Sequence, residues 1–247
     1  MHSLGIDIGG SGMKAAIVDT ENGHLVSDRY RIDTPQPATP KAIAKAIKQI
    51  IDYFEWTDDV GCAFPTVVVE GRALYGANLD PSWKGVQIDD LFSEYCDNHF
   101  EIINDADAAG IAEMKFGAGR HKAGLVLTVT VGTGLGSGMF YDGVLIPNIE
   151  LGRIFGKDGE VIERYAADSA RKREDLDFDE WGKRLNFFLK HIERVCTPDF
   201  IIIGGGVSKK IHKFRKQITI KTPYTTCEKL NNAGIIGAAA NAANHHK

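Results

Sequence analysis

Cysteine is sparse in this 247-residue chain. The four that occur, Cys62, Cys96, Cys196 and Cys227, are too widely spaced for a C-x-x-C metal pair and too few for a disulfide framework, so they read as buried thiols in a reducing compartment. Positive charge is not in excess either: 29 Lys and Arg against 33 Asp and Glu leave a formal net charge of −4, which argues against a general nucleic-acid or membrane-surface binder. No apolar run approaches the length of a membrane span, and "MHSLGIDIGG" has neither the basic n-region nor the apolar h-region of a signal peptide, so the expected compartment is the cytoplasm.

Two familiar phosphate loops are missing as well. Lys14 is followed by Ala15, which excludes the G-x-x-x-x-G-K-[ST] loop. Gly10, Gly12 and Ala15 satisfy the loose dinucleotide pattern G-x-G-x-x-A, but that pattern needs a helix directly afterwards. Gly12 leads instead into "MKAAIVDTENGHLV", which is rich in β-branched residues and breaks at the turn signal Glu21 to Gly23, so it reads as strand, turn, strand. The glycines therefore sit in a hairpin. Such a hairpin can bring backbone N–H groups up to an anion, or it can be a tight turn that binds nothing.

What is present is an ordinary globular composition, 43% hydrophobic and 25% charged, enough for one large domain or two lobes. Pro40 suits the first position of a helix whose apolar face is Ile43, Ile47, Ile50, Ile51 and Phe54. "DDLFSEYCDNH" reads as a second helix, and "FEIIND" as a strand running into a third, "ADAAGIAEMKFG". "AGLVLTVTVGTGLGSGMFYDGVLI" then repeats the opening design of strand, glycine turn and returning strand. A helix opens at Asp177, with Glu180 at capping-box spacing, and carries the stripe Trp181, Leu185, Phe188, Leu189, Ile192 and Val195. "DFIIIGGGVSKK" is a buried strand entering glycines and a helix start, and the last helix, "NAGIIGAAANAA", is built of small residues. The expected organisation is two lobes, 1 to 105 and 106 to 247, each led by a glycine hairpin, with the final helix free to pack back on the first lobe.

The motifs "GIDIGGSGMK", "NLDPSW", "NDADAAG", "VGTGLGSG", "IELG", "DEWGKRL", "IIIGGGVSKK" and "NNAGIIGAA" occur in one order over nearly the whole chain. In this the sequence resembles the ROK family (repressor, open reading frame, kinase) of the actin-like ATPase superfamily, and within it the polyphosphate glucokinases. The resemblance is to kinase members: no DNA-binding segment stands before the first hairpin, and "RIFGKDGEVIERYAAD" after Gly152 has no cysteine, so no structural zinc is expected.

The resemblance implies an α/β, two-lobed actin-like ATPase (ribonuclease H-like) fold, with a central mixed sheet in each lobe and a cleft between them. It implies transfer of a phosphoryl group from polyphosphate or ATP to the 6-hydroxyl of glucose or a related sugar, with Mg²⁺ and in a homodimer. Asp105, where the strand "FEII" ends, is the expected general base; before the resemblance is counted, an Asp there reads as a helix cap. Asn104 has a donor and an acceptor for a sugar hydroxyl and otherwise reads as a turn residue, while Asp107 is equally placed to support the first helical turn. By resemblance Asn78, Glu150 and Glu163 also meet the sugar. Gly9, Gly10, Ser11, Gly12 and Lys14, with Gly132, Thr133 and Gly134, would surround the donor phosphates, and Asp7 would position Mg²⁺ through water. Gly205, Gly206, Lys209 and the Asn232 to Gly237 stretch would lie on the nucleotide side. The basic run Lys209, Lys210, Lys213, Arg215, Lys216 and Lys221 reads as a solvated helix face or as a track for polyphosphate.

Three positions depart from the glucokinase pattern. Arg153 stands where the motif E-x-G-H has a sugar-contacting His, Thr66 where a glycine is usual, and Tyr75 where small polar residues are usual. Arg153 suits an acidic or phosphorylated acceptor, or folds outward and leaves glucose accommodated, or fills the pocket. Beside the glucokinase reading there thus stand a kinase for a sugar acid, sugar phosphate or polyol, and a non-catalytic sugar- or nucleotide-binding protein.

Overall fold

The computed structural model describes residues 1–76, 79–156 and 159–243. The chain divides into two compact units, one formed by Met1–Ala112 with the segment from Asn232 onward, the other by Glu113–Asn231.

The first unit contains β1 (His2–Ile8), β2 (Met13–Asp19), β3 (His24–Leu25), β4 (Tyr30–Ile32), α1 (Pro40–Phe54), β5 (Val60–Phe64), β6 (Val68–Val69), β7 (Arg72–Ala73), α2 (Ile88–Tyr95) and β8 (Phe100–Asn104), then enters α3 (Asp105–Phe116). Among the described residues its main sheet runs β3-β2-β1-β5-β8, with β4 also on β2. β1 and β2 are antiparallel, while β5 and β8 run parallel to β1. α1 starts where Thr39 accepts the Ala42 N–H and Pro40 occupies the first turn, a position needing no N–H donor. Its Ile43, Ile47 and Ile50 are fully buried, each contributing about 1.5–3 kcal/mol of transfer free energy. They meet Leu4, Ile6, Phe64, Trp83, Phe92 and Phe100 in one core.

The second unit contains β9 (Leu125–Val131), β10 (Leu135–Tyr141), β11 (Val144–Ile146), α4 (Glu163–Ala166), α5 (Asp168–Arg173), α6 (Phe178–Cys196), β12 (Phe200–Gly204) and β13 (Tyr224–Thr226). Its sheet order is β11-β10-β9-β12-β13, again an antiparallel hairpin followed by parallel strands. The repeat read in the glycines is thus a repeat of sheet design. Asp177 caps α6 through the Glu180 N–H at 2.7 Å. Trp181, Leu185, Phe188, Leu189 and Ile192 are buried as the stripe requires, but Val195 is 68% exposed: at the last turn of the helix, the stripe has run off the core. The basic run forms short 3-10 segments, Ser208–Lys213 and Arg215–Gln217, rather than an α-helix, with Lys210 out of helical geometry.

The last helix, α7 (Ala233–Ala242), returns to the first unit and lies across β1 and β5. Its approach is as close as backbones allow. A Cβ on Gly5 would overlap the Ile235 carbonyl, one on Gly61 the Ala238 backbone, and one on Gly237 the carbonyl of Ala108 in α3.

Candidate functional site

Glycine in the first hairpin lets the chain reverse between Ile8 and Met13, where the Gly9 N–H donates to the Gly12 carbonyl at 3.1 Å. The antiparallel register puts Asp7 directly opposite Lys14, and Lys14 Nζ lies 3.3 Å from Asp7 Oδ2. Burial nevertheless pushes the Asp7 carboxyl above its usual range, outweighing the opposing pull of Lys14 and Arg29. Gly10 and Ser11 are exposed at the tip. Around them stand three side chains outside the glycine motif. The Arg31 guanidinium donates to the Ser11 carbonyl at 3.3 Å and occupies the space a Gly12 Cβ would need; Thr34 donates to the Gly9 carbonyl, and Gln36 to that of Gly10. For Arg31 the signal lies in β4, where it pairs in register with Lys14. Asn232, before α7, accepts from Arg29 at 3.2 Å, and the first turn of α7 brings Gly234 against the Asp7 carboxylate.

In the same unit, β8 ends at Asn104 and α3 begins at Asp105. Asn104 Oδ1 accepts the N–H groups of Ala106 at 2.9 Å and Asp107 at 3.1 Å, while its amide donates to the Thr66 carbonyl at 3.0 Å. Asn104 is therefore the cap of α3, the role that sequence alone offers to Asp105. Asp105 is half-buried in the first helical turn, and Asp107 is buried. Thr66 is buried and donates to the Tyr75 carbonyl at 3.1 Å, while the Tyr75 side chain is exposed. Asn78 lies outside the described residues.

In the second unit, the hairpin Gly132 to Gly134 closes with a 3.0 Å bond from the Gly132 N–H to the Gly134 carbonyl. Thr133 is exposed at its tip, and Ser169 at the start of α5 holds the turn from behind, its hydroxyl donating to the Thr133 carbonyl at 2.6 Å. Nothing lies within 4 Å of a Cβ built on Gly132 or on Gly206, whereas one on Gly205, at φ +78°, would overlap the Val131 backbone. Gly205 thus packs against the start of the hairpin. Lys209 comes next on the exposed side.

The structure also brings Glu150, Arg153 and Glu163 into one electrostatic group. Glu163 accepts from the Leu135 N–H at 3.4 Å, placing its carboxylate beside Gly134. Ser137 receives the Leu151 N–H and donates to the Ile149 carbonyl, which fastens the Glu150 segment to β10, and only glycine at 152 fits over the Leu135 carbonyl. Burial raises the Glu150 carboxyl above its usual range, Arg153 pulls it down, and Glu163 pushes it up.

Comparison with known proteins bears on the family and the fold. The ROK family model matches residues 3–148. The polyphosphate glucokinase of Mycobacterium tuberculosis (strain H37Rv) is 42% identical over 239 residues, 96% of this chain and 90% of that protein. The inorganic polyphosphate/ATP-glucomannokinase of Arthrobacter sp. strain KM has a crystal structure that matches with a TM-score of 0.95 at 39% identity, covering 99% of each chain. A ROK family glucokinase from Streptomyces griseus, crystallised with glucose and AMPPNP, shares the fold at a TM-score of 0.82 and 23% identity, over 99% of this chain and 100% of that one. A family model spanning more than half the chain, with 42% identity carried across two hairpin-led mixed sheets, establishes that this protein belongs to the ROK family.

Proposed function

We propose that this protein is a sugar kinase that moves a phosphoryl group from polyphosphate or ATP to the 6-hydroxyl of glucose or a closely related sugar, with Asp105 as general base. The observation that carries the assignment is the start of α3: Asn104 caps the helix through the Ala106 and Asp107 N–H groups, and the half-buried Asp105 carboxylate follows it at the strand end where α/β sheets gather ligands. Asp105 takes the proton of the acceptor hydroxyl as that oxygen attacks the terminal phosphorus and the bond to the donor's bridging oxygen breaks.

Gly9, Gly10, Ser11 and Gly12 with Lys14, and Gly132, Thr133 and Gly134, supply donors for the phosphates, while Gly205, Gly206 and Lys209 border the rest of the donor. Lys14, Arg29 and Arg31 place three cations around the first hairpin. Asp7 is the residue that would hold Mg²⁺: its carboxyl is costly to ionise where it is, which a nearby cation relieves. Mg²⁺ dehydrates reluctantly, so Asp7 would hold it through water rather than within a cage of side chains. Held there, Mg²⁺ would supply charge neutralisation on the transferring group.

Asn78, Asn104, Glu150, Arg153 and Glu163 are assigned to the acceptor. Arg153 acts electrostatically on the Glu150 carboxylate, so its added cation stands near an opposing charge, which supports glucose as acceptor. A homodimer in the cytoplasm completes the proposal; no helix among the described residues is long and apolar enough to cross a membrane. The test is phosphoryl transfer to glucose by the wild type and Asp105→Asn, with Mg²⁺ and each donor separately. Loss of about 10²–10⁴-fold in kcat with both donors is expected. Activity retained by the mutant rejects Asp105 as base, and no transfer by the wild type rejects the acceptor.

A further inference from the structure

The chain passes from the first unit to the second between Ala112 and Glu113 and returns between Asn231 and Asn232. Glu113 stands directly after the first passage. It is only 3% exposed, yet its carboxylate is surrounded by backbone donors rather than by a cation: Oε1 accepts from Lys229 at 2.7 Å and Glu228 at 3.0 Å, and Oε2 from Ala118 at 3.0 Å and Glu228 at 3.0 Å. Gly117 makes room for it, since a Cβ there would overlap Oε2. A buried carboxylate is expensive unless such charge-assisted bonds repay its lost hydration. Glu228 and Lys229 lie just before the return passage, so Glu113 grips the outgoing and incoming segments together.

What this grip connects is specific. Upstream, α3 begins with Asp105 and is packed at Ala108 against Gly237 of α7. Downstream, the held segment leads into α7, whose first turn puts Gly234 against Asp7. The same segment is joined to the end of β12, where the Cys227 N–H donates to the Ile203 carbonyl at 3.0 Å immediately before Gly204 to Gly206.

We infer that Glu113 is a positioning residue: by holding Glu228 and Lys229 on the end of α3, it fixes the helix that carries Asp105 to the segment that carries α7 up to Asp7. The inference rests on the kinase reading for its consequence in catalysis, but not for its structural content. Glu113 touches no reacting atom in this scheme and acts through the two helices it ties together.

The experiment compares Glu113→Gln, Glu113→Asp and Glu113→Ala by steady-state kinetics and by amide hydrogen exchange. The Gln variant removes the charge and turns an NH₂ group toward N–H donors; the Asp variant keeps the charge on a shorter stem. Expected for Gln and Ala is a fall in kcat of about tenfold or more with both ATP and polyphosphate, with KM for glucose within about threefold, and partial recovery in Asp. Exchange should quicken at Ala118, Glu228 and Lys229 and also at Asn232 to Gly237, which Glu113 does not touch. Quickening confined to Ala118, Glu228 and Lys229, with kcat unchanged, overturns the inference. If Ala does not fold, Gln and Asp carry the comparison. A wild type that transfers no phosphate to glucose removes the kinase reading, and exchange at Asn232 to Gly237 still decides the grip.

Discussion

The Asn104 side chain donates a 3.0 Å hydrogen bond to the carbonyl of Thr66, tying the residue before α3 to the turn after β5. With two N–H groups of α3 already on its oxygen, this one amide fixes the orientation of the helix start and with it the Asp105 carboxylate. Asn104→Ala should lose about 1–3 kcal/mol of stability by denaturant titration, from the missing cap and the stranded Thr66 carbonyl. Asn104→Asp keeps the cap and should lose less. Equal stability in the two variants would show that the cap contributes little.

Asp7 makes the opposite prediction. Its carboxyl is raised by burial despite Lys14 and Arg29, so the folded chain binds that proton more tightly than the unfolded one. Stability from this group is therefore greatest at low pH and falls as pH rises through the folded value. Asp7→Asn should remove that penalty and raise Tm at neutral pH, by about 2–4 °C for each kcal/mol gained in a chain of this size, while abolishing transfer. A lower Tm in the mutant would mean that the Asp7–Lys14 pair is net stabilising.

Glu150 offers a test of sign. Arg153 draws its carboxyl down and Glu163 drives it up, both against a background of burial. If the acceptor is held by ionised Glu150, the acid limb of kcat/KM for glucose should move to higher pH in Arg153→Ala and to lower pH in Glu163→Gln. Limbs that move together, or not at all, would remove Glu150 from acceptor binding.

Donor choice should separate at the basic run. Lys210 and Lys213 lie with their amines 5.9 and 5.2 Å from the centre of the Phe178 ring, and among the described residues neither forms an ion pair. A chain of phosphates held by such groups is released by salt. Joint Lys209→Glu and Lys213→Glu substitution should raise KM for polyphosphate by about tenfold and flatten its salt dependence, while KM for ATP stays within about twofold. Equal losses with both donors would reject a polyphosphate track.

Much of this is legible in the sequence because it is local. Glycine turns between alternating strands, Pro40 after Thr39, and Asp177 three residues before Glu180 each specify a structure through neighbours in the chain, and each is present in the fold. The cap of α3 lies one residue before its expected place: Asn104 and Asp105 are both good caps, and Asn104 also makes a tertiary bond to Thr66 that the sequence does not reveal. Glu113 is invisible in the sequence for a related reason: a Glu near the end of a helix looks solvated until Glu228 and Lys229, more than 100 residues later, arrive to surround it. Glu150, Arg153 and Glu163 come from resemblance alone, and their mutual electrostatics come from the fold.

The packing of α7 onto β1 and β5 sets an order on synthesis. A ribosome delivers all of Glu113–Asn231 before any of α7, so the second unit has its full complement of residues while the first still lacks a wall. Until Ala233–Ala242 emerges, the shallow trough floored by Gly5 and Gly61 is open to water, because glycine at those positions leaves room for a backbone that has not yet been made. Chains truncated after Asn231 and released from the ribosome should accordingly yield the second unit resistant to protease and the first unit cut.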